Sequence, residues 1–309
     1  MDNIINVITS IVSAEIDVNY TLTKQQGSNT VYSININDYP KMIIKMYENE
    51  EHFNRDYFAL QIMNKSTDIK SPQVIKSGNY SKKYYWIMYK YIEGCSLDKL
   101  RANQISNNLF FDIGQQLSMI HNLISFKELT QQERKLYINE FYSKFINQVS
   151  FYYKTVCSHQ VNVRKSIKEA YNFLFRHKEE ILCDDDFRII LNDFSPANII
   201  IERSENTSKL SGIIDFEYFL FGNLYKDFFL LIDYFIDNRE LELSFFKGYN
   251  SLLTNSITKK ICHRTLIFAI HHILECYYLE IKNTGKDSKE SNDRLNRILS
   301  RYDLTKGLK

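Results

Sequence analysis

The stretch Leu191-Asn192-Asp193-Phe194-Ser195-Pro196-Ala197-Asn198 is a polar loop walled in by short apolar runs, Phe187 to Leu191 (FRIIL) before it and Ile199 to Ile201 (III) after it. A third run, Leu210 to Ile214 (LSGII), ends at Asp215-Phe216-Glu217. Runs of this length and β-branched content predict strands rather than helices. Any fold of this chain must therefore carry Asp193, Asn198 and Asp215 at strand ends. An Asp and an Asn five positions apart can divide two tasks. The Asp193 carboxylate meets a hydroxyl, while the Asn198 amide oxygen and the Asp215 carboxylate offer the hard oxygen ligands that Mg²⁺ demands. The D-x-x-x-x-N spacing alone also recurs in ordinary turns. The apolar strand ending in Asp-Phe-Glu is what gives it weight.

The N-terminal part supplies features of a nucleotide site in the right order. Val31 to Ile36 (VYSINI) alternates like a strand and follows Gln26-Gly27-Ser28-Asn29-Thr30, a small-residue turn whose N–H groups can lie over phosphates. Lys41 to Met46 (KMIIKM) reads as a strand in which Lys45 interrupts an apolar run. An inward Lys on such a strand needs a phosphate or a carboxylate as partner. Glu51 to Met63 has helical spacing and places Asp56 to pair with Lys45, with Glu51 the competing partner. Tyr84 to Met88 (YYWIM) predicts a further strand, running into Tyr89-Lys90-Tyr91-Ile92-Glu93-Gly94, which stops alternating and reads as a hinge.

Taken together, these residues resemble the aminoglycoside phosphotransferase and choline kinase superfamily, the small-molecule branch of the protein-kinase-like fold. The resemblance runs from Gly27 through Lys45, the Asp56 helix, the Met88–Gly94 hinge, the helix Ile113 to Leu123 and both catalytic motifs, with Asn192-Asp193-Phe194 and Gly212 to Glu217 most similar to antibiotic kinases. Gly222-Asn223-Leu224-Tyr225-Lys226-Asp227 is similar to the family's Gly-x-x-x-x-Asp element, whose Asp braces the catalytic loop. The resemblance implies an α+β, bilobal kinase-like fold, with a small β-rich lobe bearing one helix over residues 1–91, hinge strand included, and a larger helical catalytic lobe over 92–309. It implies Asp193 as the residue that orients or deprotonates the acceptor hydroxyl, Asn198 and Asp215 as Mg²⁺ ligands, and Lys45, steadied by Asp56, on the α- and β-phosphates of ATP or GTP. Gly27 and Ser28 would cover the phosphates, the main chain of Tyr89 and Tyr91 would hold the base, and Met88 would form the back of its pocket. Phosphoryl transfer passes through a loose transition state, so positioning and positive charge matter more than covalent chemistry.

Three positions depart from the pattern. Leu191 stands where the family's loop usually begins with His, Asp56 is one methylene shorter than the expected Glu, and Gly27 is the only glycine of its turn.

Composition narrows the remaining classes. The 309 residues, 44% apolar and 25% charged, suit one large two-lobed globular protein. A net charge of +2, from 39 basic and 37 acidic residues, argues for neither nucleic acid nor membrane as partner. Cys95, Cys157, Cys183, Cys262 and Cys276 lack paired metal-ligand spacing and suit free thiols, and no apolar run reaches the roughly 20 residues needed to span a bilayer, so a cytoplasmic protein is expected. His121 reads as a structural His at the margin of an apolar stripe, His271 and His272 fall in the helix Thr265 to Glu280, and no His/Cys metal cluster is expected.

Glu128 to His177 predicts two helices, which in relatives help shape the acceptor site. An aminoglycoside acceptor is cationic and needs carboxylates, for which Glu217, Asp233, Asp237, Glu275 and Glu280 are candidates. The sequence thus predicts a Mg²⁺-dependent kinase acting on a small-molecule hydroxyl, an aminoglycoside first. Choline, another amino alcohol or a macrolide is the alternative acceptor. A catalytically silent kinase-like scaffold is the alternative of another class.

Overall fold

Alternation in the N-terminal third builds an antiparallel sheet of β1 (Tyr20–Lys24), β2 (Val31–Ile36), β3 (Met42–Tyr47), β4 (Val74–Tyr80) and β5 (Tyr84–Lys90), in the order β1-β2-β3-β5-β4. The computed structural model describes residues 4–16, 19–25, 30–37, 39–80, 83–159, 165–203, 207–254, 256–285 and 289–302. Register decides which side chains share a face. Ile44 lies opposite Met88 and Met46 opposite Trp86, while Ile43 lies opposite Tyr89 and Lys45 opposite Ile87. Successive residues of a strand point to opposite faces, so Ile44, Met46, Trp86 and Met88 form one surface and Ile43, Lys45, Ile87 and Tyr89 the other.

The first surface is covered by α1 (Ile4–Glu15), whose Val7, Ile8, Ile11 and Val12 recur at helical spacing and join the same buried core. The expected single helix of this region is therefore corrected to two, α1 and α2 (Glu50–Met63). Asn49 caps α2, its side chain accepting from the N–H groups of Glu51 and His52.

Contacts divide the chain into two compact units, Met1–Ile105 with Ser195–Leu220, and Ser106–Phe194 with Phe221–Lys309. The first boundary thus falls after Ile105 rather than after residue 91, and residues 195–220 join the N-terminal unit. The reason is pairing. A second antiparallel sheet runs β6 (Cys95–Ser96), β8 (Ile199–Arg203), β9 (Ser208–Ile213), and the Ile213 N–H donates to the Lys70 carbonyl at 2.8 Å. Gly94 enters β6 at φ 136°, with the Ile201 carbonyl so close that a Cβ would collide with it.

The other unit is mainly helical: α3 (Asn107–His121), α4 (Gln131–His159), α5 (Lys165–His177), α6 (Tyr225–Phe228), α7 (Ile232–Asp237), α8 (Arg239–Asn250), α9 (His263–Thr284) and α10 (Lys289–Arg301). Its two-stranded sheet pairs β7 (Phe187–Ile190) with β10 (Leu220–Asn223). α3 and α8 pack backbone to backbone, since a Cβ on Gly114 or Gly248 would strike a carbonyl of the facing helix. Among the described residues no helix is long and apolar enough to cross a membrane.

Candidate active site

Lys45 is delivered by β3 to the sheet face opposite the α1 core, and its side chain is only 8% exposed. Its Nζ donates to Asp56 Oδ2 at 2.9 Å and to Asp215 Oδ1 at 2.6 Å, and lies 3.1 Å from Glu217 Oε2. An isolated buried ammonium is costly, and here three carboxylates offset its desolvation. Burial alone would lower the Lys45 pKa, but Asp56, Asp215 and Glu217 outweigh it and raise the group well above its usual value. Asp56 lies on the buried face of α2 and also accepts from the Tyr47 hydroxyl at 2.6 Å. Glu51, the competing partner, instead pairs with Arg55 one helical turn on.

Asn198 and Asp215 flank a single pairing. Ile199 lies opposite Ile213, so Asn198 immediately precedes β8 while Asp215 lies two residues beyond the end of β9. The Asn198 N–H closes a tight turn onto the Ser195 carbonyl, and its own carbonyl accepts from the Ile214 N–H, both at 2.9 Å. This locks the two segments together at the point where the Asn198 and Asp215 side chains emerge. Asp215 adopts φ 69°, a left-handed conformation that costs a non-glycine residue about 1 kcal/mol or more and is typical of functional sites. Its side chain remains 36% exposed.

Asp193 belongs to the other unit, half-buried between Asn192 and the fully buried Phe194. The backbone ahead of it is clamped from one side chain. Asp227 accepts from the Leu191 N–H at 2.7 Å and the Asn192 N–H at 2.8 Å, and Asn192 takes φ 63°. His121 Nε2 lies 3.0 Å from Asp227 Oδ2, and its Nδ1 lies 2.7 Å from the Tyr249 hydroxyl. A carboxylate only accepts, so Nε2–H donates to Asp227, and in the neutral imidazole Nδ1 accepts a hydrogen bond from the Tyr249 hydroxyl. The Leu191 side chain is buried and apolar. The polar partner of the brace is His121, from α3.

Residues 21–254 match the model of the phosphotransferase enzyme family, which covers most of the chain. The chain belongs to this family. It is a phosphotransferase. No curated protein matches it in sequence. Among solved structures, the GDP complex of wild-type aminoglycoside 2'-phosphotransferase-IIIa is similar at TM-score 0.62 and 14% identity, over 99% of this chain and 100% of that one. A thermostable mutant of aminoglycoside phosphotransferase APH(4)-Ia, in ternary complex with AMP-PNP and hygromycin B, is similar at TM-score 0.62 and 13% identity, over 96% and 99%. The GDP and kanamycin complex of the 2''-phosphotransferase IIIa gives TM-score 0.60 and 15% identity, over 98% and 99%. At these identities the likeness establishes the shared fold.

In this phosphotransferase the expected place of Met88 needs correction. Met88 points away from Lys45, into the core with Val7, Ile8 and Trp86. Tyr89 shares the Lys45 face instead, half-buried, with its hydroxyl pKa raised by desolvation and by Asp56 and Asp215 against the pull of Lys45. The Tyr91 N–H donates to the Lys41 carbonyl at 3.0 Å, and Lys41 Nζ sits 4.0 Å from the Tyr91 ring centre. That N–H is already engaged within the sheet. Gly27 and Ser28 lie outside the described residues.

The acidic residues expected to meet a cationic acceptor are mostly engaged within the molecule. Glu217 joins Lys45 and lies 3.8 Å from His52, Asp233 pairs with Arg294, and Asp237 pairs with Arg297. Glu275 accepts from the Tyr152 hydroxyl at 2.7 Å and lies 3.6 Å from His272. Sequence reasoning placed Glu217 with the acceptor and passed over Tyr47. The available signals were the two-residue spacings Asp215–Glu217 and Lys45–Tyr47, which predict a shared face on an extended chain.

Proposed function

We propose that this phosphotransferase transfers the γ-phosphoryl group of ATP or GTP to a hydroxyl of a small molecule of the aminoglycoside type. The observation that carries the reading is Lys45, held at once by Asp56 and by Asp215. A cation so placed is oriented for nucleotide phosphates and tied to a carboxylate that can serve a metal. Asn198, Asp215 and Glu217 present only oxygen donors, the set that suits Mg²⁺, and Asn198 and Asp215 are the proposed ligands. When bound, Mg²⁺ would neutralise charge on the β- and γ-oxygens. Lys45 would bind the α- and β-phosphates. Asp193 would orient the acceptor hydroxyl and receive its proton, on a backbone fixed by Asp227.

Solved relatives carrying GDP, AMP-PNP, kanamycin and hygromycin B support a nucleotide donor and an aminoglycoside acceptor. The five free cysteines support a reducing, cytoplasmic setting.

The test is release of nucleoside diphosphate with Mg²⁺ and either ATP or GTP, against a panel of aminoglycosides, macrolides, choline and nucleosides. Turnover with aminoglycosides alone is the expected result. Turnover with another class would keep the chemistry and replace the acceptor. Silence together with absence of nucleotide binding would defeat the kinase reading.

A further inference from the structure

A second metal-ligand set lies wholly within the helical unit, made of residues with no part in the chemistry above. His177 ends α5, Glu180 follows it by three residues in a 3-10 turn, and His263 is the first residue of α9. One ligand atom from each lies within 4.8 Å of the others. The His–x–x–Glu spacing stacks ring and carboxylate on one face, and His177 Nδ1 and Glu180 Oε1 are 2.5 Å apart. The imidazoles of His177 and His263 meet at 5.1 Å between centres, 63° apart in plane. Phe173 packs against both, at 4.6 Å from His177 and 5.9 Å from His263. Both rings therefore have an apolar neighbour on one flank.

We infer that His177, Glu180 and His263 bind a divalent transition-metal ion of the zinc type, which staples the end of α5 to the start of α9. Two imidazole nitrogens and one carboxylate oxygen suit Zn²⁺ far better than Mg²⁺, which prefers all-oxygen ligation. Metal–ligand bonds of about 2 Å require the three donors to close on a common centre. Tetrahedral ligation at that length sets donors about 3.3 Å apart, so the hydrogen-bonded His177–Glu180 pair opens slightly around the ion while the exposed His263 has room to close on it. The ion would replace the proton between Nδ1 and Oε1. Three protein ligands leave a further coordination position, which water can fill from a cavity of about 540 Å³ lined in part by Glu180, Cys262 and His263. Arg264, also on that wall, directs its charge to Asp186 at 2.6 Å. The unfolded chain does not bring His263 to the other two ligands. Binding must therefore stabilise the folded unit.

The test uses the full chain, stripped with chelator and titrated with ZnCl₂ alone, without nucleotide or Mg²⁺. Expected are one ion per chain and a melting temperature raised by several degrees. His263→Ala should weaken binding at least tenfold and abolish the thermal shift, while His263→Cys, which restores a ligand, should recover both. His263 is exposed at a helix start, so these variants should fold; Glu180→Gln gives an independent loss of one ligand. Co²⁺ is the second probe, expected to show ligand-field bands without a strong sulfur-to-cobalt charge-transfer band. Absence of zinc binding, affinity unchanged in both His263→Ala and Glu180→Gln, or a dominant charge-transfer band pointing to the free cysteines would each overturn the assignment.

Discussion

His121 and Asp227 are both fully buried, and their contact at 3.0 Å completes the clamp that holds the backbone ahead of Asp193. The carboxylate has two amide donors and one imidazole donor, so its charge is stabilised without solvent. His121→Leu removes one donor and leaves the Tyr249 hydroxyl unpaired. The expected cost is about 2–3 kcal/mol of unfolding free energy, read by urea denaturation. Turnover should fall with it while nucleotide affinity holds. An unchanged urea midpoint would show that the imidazole contributes nothing to the brace.

Asp193→Asn keeps the shape of the loop and removes the group proposed to accept the hydroxyl proton. Turnover should drop by about 10²–10⁴, the usual contribution of a positioned base. Calorimetric titration with Mg-nucleotide should give nearly the wild-type affinity. Full turnover in this variant would take Asp193 out of the reaction.

Lys45 and Asp56 form a buried pair, so breaking it should cost more than deleting it. Lys45→Met strands Asp56 and is expected to lose about 3–5 kcal/mol, along with nucleotide binding. Adding Asp56→Leu to Lys45→Met should restore part of the stability and none of the binding. Additive losses in this double-mutant cycle would mean that the two side chains do not interact.

That pair was readable from the sequence because a charge inside an apolar strand demands a partner and the next helix offers few. The strands around Asp193, Asn198 and Asp215 were readable for the same reason, as short β-branched runs bounding polar residues. The face of Met88 was not, because it depends on parity. Pairing Lys45 with Ile87 puts Tyr89 on the Lys45 side and Met88 on the other, and a shift of one residue would reverse the assignment. His121 was legible as a buried structural His, but not its bond to Asp227, since the two meet only through the packing of α3. The same holds for His263 beside His177, where the sequence brings only two of the three proposed ligands, His177 and Glu180, near each other.

Leu191 occupies the position at which the sequence resemblance leads one to expect His, and it is almost fully buried. Asp227 already accepts three hydrogen bonds, one of them from His121, so the brace is complete without a second imidazole. Leu191→His should therefore lower stability by about 1–3 kcal/mol through an unsatisfied buried group, with no gain in turnover. Thermal denaturation and steady-state rates measured side by side decide this. A faster or more stable variant would show that the loop is better served by an imidazole at position 191 than by Leu.

The last expectation concerns pH and rests on α9. Burial pulls the His272 imidazole down, but its hydrogen bonds with Cys276 and Glu275 win and bring the pKa up to about 9. A group with a folded pKa above its unfolded value contributes stability that is complete below the unfolded value, about 6.5, and disappears as pH rises through about 9. The pair is partly exposed, so solvent screening limits the effect to about 1–2 kcal/mol. Neighbouring groups act in other windows or with the opposite sign. Burial holds His271 down to about 3, which matters only on the acid side, and holds Lys226 down to about 8, which favours the folded state as pH climbs above that value. The informative quantity is therefore the difference between the wild type and His272→Ala. Urea midpoints at intervals from pH 6 to pH 10 should show the wild-type advantage shrinking across this range, whereas an advantage independent of pH would leave His272 uncharged or its contact with Glu275 without energetic weight.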